Sequence, residues 1–236
     1  MPSLPHSDEA TRAGLRPVLL TVRGRELHSY PCLLYLGSVA GTLAAAAAAP
    51  DDLAARVAFA TTVLIVPALV GSRLMYVLTH RGAYRGRWRL AARRDAGGGA
   101  MYGGLILALP LSVPLLRVLD IPLRTYWDAA VFALLVGMIF TRAGCLLHGC
   151  CRGTRRIPTS VLEAALACVL LAGAVALHSR VPFDGALFLG ALAAYATGRF
   201  ALDFTRVEPR RRPTVAQATS VCALLGTLLV LAVWLN

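Results

Sequence analysis

Lysine is absent from this 236-residue chain: all 24 basic residues are arginine, so every fixed positive charge is a guanidinium. A GC-rich genome explains that bias without any mechanism. Acidic residues are scarce, 12 in all, which leaves a net charge of +12. Such a balance points to nucleic acid or to anionic lipid. With 57% hydrophobic residues and a mean hydropathy of +0.65, lipid is the partner that fits, and nucleic acid is not expected. Residues 1–29 lack the apolar core of a cleavable signal, so the first hydrophobic span is expected to act as its own insertion signal. Residues 214–236 carry no charged side chain over a length sufficient to cross a bilayer, a run that a soluble core does not need. Internal repeats and a flexible interdomain linker are also missing. The chain therefore reads as an extramembrane segment, residues 1–29, followed by one membrane domain, residues 30–236.

Hydropathy predicts an all-α polytopic bundle of seven transmembrane helices, at residues 31–49, 54–78, 100–116, 126–147, 161–177, 185–204 and 214–235. Most connections are short and turn-like, as at Asp120-Ile121-Pro122. The longest is arginine-rich, residues 81–99. The alanine run at residues 44–49 suits a closely packed helix face.

The sixth span is the most informative because it keeps Tyr195, Arg199, Asp203 and Arg206 in an otherwise apolar setting. At ~100° per residue these four fall within a stripe of ~80°. Charge at membrane depth is costly and is usually retained for function. Seven antiparallel crossings assign each unusual residue to a surface, and they share one: Tyr30, Arg73, Tyr76, Tyr102, Arg142, Cys145, Glu163 and Arg199 through Arg206. Four arginines there (Arg73, Arg142, Arg199, Arg206) face only Asp203 and Glu163, so an anion is expected to complete the site. The guanidinium fork suits phosphate, and the abundant phosphate of a bilayer belongs to phospholipid. A plainer reading competes, in which these arginines snorkel or pair with carboxylates to hold the bundle together.

In order and spacing, these motifs resemble the prolipoprotein diacylglyceryl transferase family. Residues 28–34 and 71–78 resemble its opening Arg-Trp-Tyr-Gly-Leu and its Gly-Ala-Arg-Leu-Tyr-Val segments, and Tyr102-Gly103-Gly104-Leu-Ile is similar to His-Gly-Gly-Leu-Ile. Residues 142–153, from Arg142 to Gly153, fall on Arg-Ile-Gly-Asn-Phe-Ile-Asn-Gly-Glu; residues 158–163 resemble Pro-Thr-Gln-Leu-Tyr-Glu; and residues 195–206 resemble Tyr-Gly-x-x-Arg-Phe-x-x-Glu-Phe-x-Arg. The resemblance implies transfer of the diacylglyceryl group of phosphatidylglycerol to the lipobox cysteine of a prolipoprotein, in the bacterial plasma membrane and without a cofactor. Arg142, Arg199 and Tyr102 would then act in catalysis. Tyr30, Arg73, Tyr76, Gly103, Gly104, Cys145, His148, Gly153, Glu163, Tyr195, Asp203 and Arg206 would line the substrate site, with Asp203 and Arg206 orienting Arg199.

Tyr102 stands where the family carries histidine, Cys145 where it carries asparagine, and Cys150 where it carries glutamate. Alternatives to the transferase are a non-catalytic lipid-handling paralogue and a membrane thiol-redox protein built on Cys150 and Cys151. Cys145, His148, Cys150 and Cys151 lie within seven residues, but adjacent cysteines rarely point at one ion, and no metal is expected. Cys32, Cys168 and Cys222 read as small hydrophobes packed in helices, and Trp88, Trp127 and Trp234 as interface residues. Outside the spans or at their ends, 17 arginines lie on the site-bearing surface and four on the other. The positive-inside rule would place the dense side in the cytoplasm. The family topology places it outside, and that orientation is the one expected.

Overall fold

The computed structural model describes residues 18–22, 25–79, 81, 101–148, 158–204 and 215–235. Seven α-helices form the body: α1 (Ser29–Ala48), α2 (Ala54–Thr79), α3 (Met101–Val118), α4 (Leu123–His148), α5 (Thr159–Leu177), α6 (Ala186–Asp203) and α7 (Val215–Leu235). Among the described residues α1, α2, α4 and the Thr159–Arg180 span are long and apolar enough to cross a membrane, while Tyr102–Val118 and Gln217–Ala232 are shorter apolar stretches. Exposed Leu36, Val39, Leu43, Val63, Val66 and Val70 make the outer faces of α1 and α2 greasy, as a lipid-facing surface requires. The chain is a membrane protein.

A feature the sequence reading missed precedes α1. Strands β1 (Val18–Val22) and β2 (Arg25–His28) form an antiparallel hairpin, with Val22 opposite Arg25 and an irregularity between Val18 and Leu20. A β-branched run, Val18-Leu-Leu-Thr-Val22, followed by Arg23-Gly24, was the available signal. The all-helical class describes the membrane body and not this entry segment. Helix α4 also begins three residues before its expected start, because Pro122 suits a helix entrance and its carbonyl accepts the Tyr126 N–H at 3.0 Å.

Helix α4 is the hub, with α1, α5 and α6 laid along it and α2 paired with α3. Small residues set the spacing. Gly41 of α1 lies where a Cβ would come within 2.7 Å of the Ala133 carbonyl. Gly103 of α3 is tighter, since a Cβ there would collide with Met75 and the Gly71 carbonyl of α2. Such approach of backbones is how membrane helices gain packing where lipid competes equally for apolar side chains.

The hydrophobic core fills the end of the bundle where α4 starts. There Val57, Leu64, Leu116, Tyr126, Val131 and Phe188 are buried together. Trp127 belongs to this core, a correction to its placement at an interface: it is 6% exposed, its ring lies 4.9 Å from that of Phe188, and its Nε1 donates to Ser112 Oγ at 3.2 Å. Buried Asp128 accepts from the N–H groups of Gly185 (2.6 Å) and Phe188 (2.8 Å). This carboxylate caps α6 from α4, at its positive end, and Gly185 makes the entrance possible with φ 93°. Cys168 and Cys222 are exposed on α5 and α7 and Cys32 is half-buried, so the expected packing of these thiols does not hold for the first two.

Gly103→Leu is expected to cost about 1–3 kcal/mol by overpacking, read as a lower Tm in lipid nanodiscs. Gly173→Ala and Gly190→Ala, which open onto empty space, are expected to leave Tm equal or raise it, since Gly is worse than Ala in a helix by about 0.5–1 kcal/mol. Equal Tm values for all three variants would contradict the close α2–α3 contact. Asp128→Ala is expected to lose about 1–2 kcal/mol with the cap, and Asp128→Asn keeps one of the two hydrogen bonds at most, since its NH2 would face the second N–H donor. A null effect of Asp128→Ala in the same melt would remove the capping account.

Candidate active site

Opposite the hydrophobic core, the ends of α4, α5 and α6 bring their charged residues together. Glu163 enters from the second turn of α5 and is 2% exposed. Its Oε2 lies 2.7 Å from Arg142 Nε of α4, and its Oε1 lies 3.2 Å from Arg199 Nη1 of α6. One carboxylate is therefore shared by two guanidinium groups from different helices. Asp203, 1% exposed and one turn beyond Arg199, stands 4.0 Å from the same Nη1. Glu163, which the sequence reading did not pair with Arg199, is the closer of the two carboxylates on it. Arg206 lies outside the described residues.

Two cations and two anions meet in this core, so Arg142, Arg199, Glu163 and Asp203 are neutral as a set. The pairing of arginine with carboxylate describes these four residues; Arg206, the fourth arginine of the sequence count, lies outside the described residues. Arg73 is held differently, with its guanidinium 5.6 Å from the centre of the Tyr76 ring. Donors are still plentiful, because a guanidinium carries five N–H groups. Among the described residues the ion pairs of Arg199 all run through Nη1.

An aromatic layer separates this ionic core from the hydrophobic one. Tyr195 of α6 is buried beside the Arg142 guanidinium. Tyr102 of α3 meets it edge-on, ring centres 6.0 Å apart, and the Tyr102 hydroxyl lies 3.1 Å from Ser220 Oγ of α7. Met138, Ala167 and Leu166 close the layer from below. Ser220, 0% exposed, is a partner the sequence reading did not find; a lone serine in an apolar span gives no signal until α7 is placed beside α3. A continuous path thus runs from Ser220 through Tyr102, Tyr195, Arg142, Glu163 and Arg199 to Asp203, spanning five helices.

Other expected site residues lie around this path. Tyr30 opens α1 and is half-buried, with its Cα against Gly144 of α4. Cys145 is buried in the last turns of α4 and forms no disulfide. Gly103 and Gly104, expected to line a substrate, are buried against Gly71 and Ala68 of α2, so their contacts in the structure are helix packing. Arg73 and Tyr76 sit at that same end of α2, near Gly103. Gly153, Cys150 and Cys151 lie outside the described residues, as does the side chain of His148. Among the described residues no cluster of three or more His, Cys, Asp or Glu side chains has the arrangement of a metal site.

Comparison with known proteins bears on the whole chain. The family model for prolipoprotein diacylglyceryl transferase matches residues 17–234. A phosphatidylglycerol–prolipoprotein diacylglyceryl transferase of Dehalococcoides mccartyi is 30% identical over 34% of this chain and 39% of its own length. One from Tropheryma whipplei is 26% identical over 62% of this chain and 64% of its own length. An enzyme of Clostridium perfringens named phosphatidylglycerol–prolipoprotein diacylglyceryl transferase 2 is 24% identical over 92% of this chain and 94% of its own length. The chain thus spans about two fifths of the Dehalococcoides relative and nearly all of the Clostridium one. With a family match across residues 17–234, the chain belongs to the prolipoprotein diacylglyceryl transferase family.

Proposed function

We propose that this chain transfers the diacylglyceryl group of phosphatidylglycerol to the lipobox cysteine of a prolipoprotein, in the bacterial plasma membrane. The observation that carries the proposal is the pair of half-buried Arg142 and buried Arg199, clamped on Glu163 at one end of a membrane bundle. In the reaction a C–S bond forms between the substrate thiolate and the glycerol carbon. The bond from that carbon to the phosphate-bearing oxygen breaks, its electron pair stays on that oxygen, and glycerol phosphate leaves. Negative charge therefore grows on the phosphate, where fixed guanidinium donors in a dry site have most effect. Glu163 holds both Arg142 and Arg199, so little reorganisation is needed when the charge develops.

Thiol activation belongs to the same electrostatics, because a thiol of unperturbed pKa ~8.5 becomes a better nucleophile beside cations. Tyr102 does not act as a neutral-pH base, since a phenol ionises near ~10. Its ring instead forms the floor with Tyr195, and its hydroxyl joins α3 to α7. One observation favours the lipid-handling alternative: at the position where the family carries histidine, this chain has a phenol engaged with serine.

Protein reconstituted with phosphatidylglycerol and a lipobox peptide is expected to add a diacylglyceryl group to the peptide, detected by mass spectrometry. Arg142→Ala and Arg199→Ala are each expected to slow transfer by about 10²–10³-fold, the scale seen when a transition-state donor is removed. Phosphatidylglycerol co-purifying with a wild type that leaves the peptide unmodified would favour lipid handling. Tyr102→Phe is expected to keep measurable transfer. Complete loss in that variant, with the fold intact, would assign the hydroxyl a part in the chemistry.

A further inference from the structure

Ser160 is 1% exposed, and its Oγ has no hydrogen-bond partner among the described residues. Burying a hydroxyl unpaired is costly, and membrane helices have a cheap alternative in alanine. The surroundings of this hydroxyl show what it can bind. Ser160 is the second residue of α5, and neither a side-chain cap from Pro158 nor an acidic residue in the first turn is present. The Val161 N–H is taken by the Pro158 carbonyl at 3.0 Å, but the first N–H groups of a helix have no intrahelical acceptor. Among the described residues that leaves Thr159 and Ser160 presenting backbone donors at the positive end of a 19-residue helix.

Position relative to the site follows from helix geometry. Ser160 precedes Glu163 by three residues and Thr159 precedes it by four, so all three share one face. Glu163 on that face meets Arg142 and Arg199. Helical side chains lean toward the N-terminus, which aims the Ser160 hydroxyl at the helix end, one turn outward from the arginine clamp. Arg142 and Arg199 already share the Glu163 carboxylate, so an anion bound there gains from further donors that bring no carboxylate with them. A helix N-terminus with an unspent hydroxyl supplies such donors, and phosphate oxygens are their usual ligands.

We propose that Ser160 Oγ and the first N–H groups of α5 form a phosphate subsite one turn from the Arg142–Glu163–Arg199 clamp. Its ligand is a phosphate ester oxygen, either of a lipid headgroup or of a free phosphomonoester. As an extension of the transferase reading, on which it rests, the subsite steadies the phosphodiester before the C–O bond breaks and retains the glycerol phosphate afterwards.

The test compares wild type with Ser160→Ala and Ser160→Thr in phosphatidylcholine nanodiscs. Binding of sn-glycerol 1-phosphate is measured by calorimetry, and retention of phosphatidylglycerol by exchange from nanodiscs containing both lipids. Ser160→Ala is expected to weaken one or both by about tenfold, the loss of a hydrogen bond to a charged group, with Tm equal to or above wild type. Ser160→Thr is expected to restore binding. Weakening of the glycerol phosphate arm alone identifies a product subsite, and of the lipid arm alone a headgroup subsite; either supports the proposal. Unchanged binding in both arms overturns it, and so does a lower Tm with binding intact, which would make the hydroxyl structural. Because the readout is binding, a wild type that binds phosphate through Ser160 yet transfers nothing sinks the transferase reading while the subsite stands.

Discussion

The arrangement of this bundle depends on one carboxylate shared by two arginines. Glu163 is nearly inaccessible, and so is Arg199, while Arg142 keeps only a partial opening. Removing one member of such a buried set leaves an uncompensated charge, at a cost of about 3–5 kcal/mol. The ends of α4, α5 and α6 are therefore tied at one point. Helix α6 is fixed to α4 twice: Asp128 caps its start, while Arg142 shares Glu163 with Arg199 near its finish. The residues meant to meet substrate stand on an element pinned at both ends, as a preorganised site requires.

Layering follows from that tie. The hydrophobic core occupies the far end, an aromatic layer of Tyr102 and Tyr195 comes next, and the ion pairs lie outermost in the same bundle end. Each layer excludes water from the one that needs it least. Tyr102 extends the layer to α7 through Ser220, which gives the last helix a polar contact with the site although its span carries no charge. Tyr102 is thus a group that holds helices together.

Much of this was legible in the chain. Long apolar runs located all seven helices to within a few residues, because length and hydropathy are the strongest constraints a bilayer imposes. Counting crossings placed Tyr102, Arg142, Glu163 and Arg199 at one end before any contact was known. The hairpin of residues 18–28 was not read, since two short strands amid charged residues give no hydropathy signal. Charge counting does not say which charges touch: Arg73 lies over Tyr76, while Glu163 meets both Arg142 and Arg199. Trp127 read as an interface indole and is core, because its position near a helix start says nothing about which face it occupies. The roles of Ser160 and Ser220 depend on helix neighbours, which a linear pattern does not specify.

The central claim is that Glu163 couples Arg142 and Arg199 into one unit. Double-mutant cycles on unfolding free energy, in bicelle-reconstituted protein titrated with SDS, test it most directly. Glu163→Gln would be combined in turn with Arg142→Met and Arg199→Met. The account predicts coupling energies of about 1–3 kcal/mol in both cycles, the range for residues sharing one ion-pair network. Additivity within about 0.5 kcal/mol in either cycle would contradict it, leaving that arginine held by something other than the shared carboxylate.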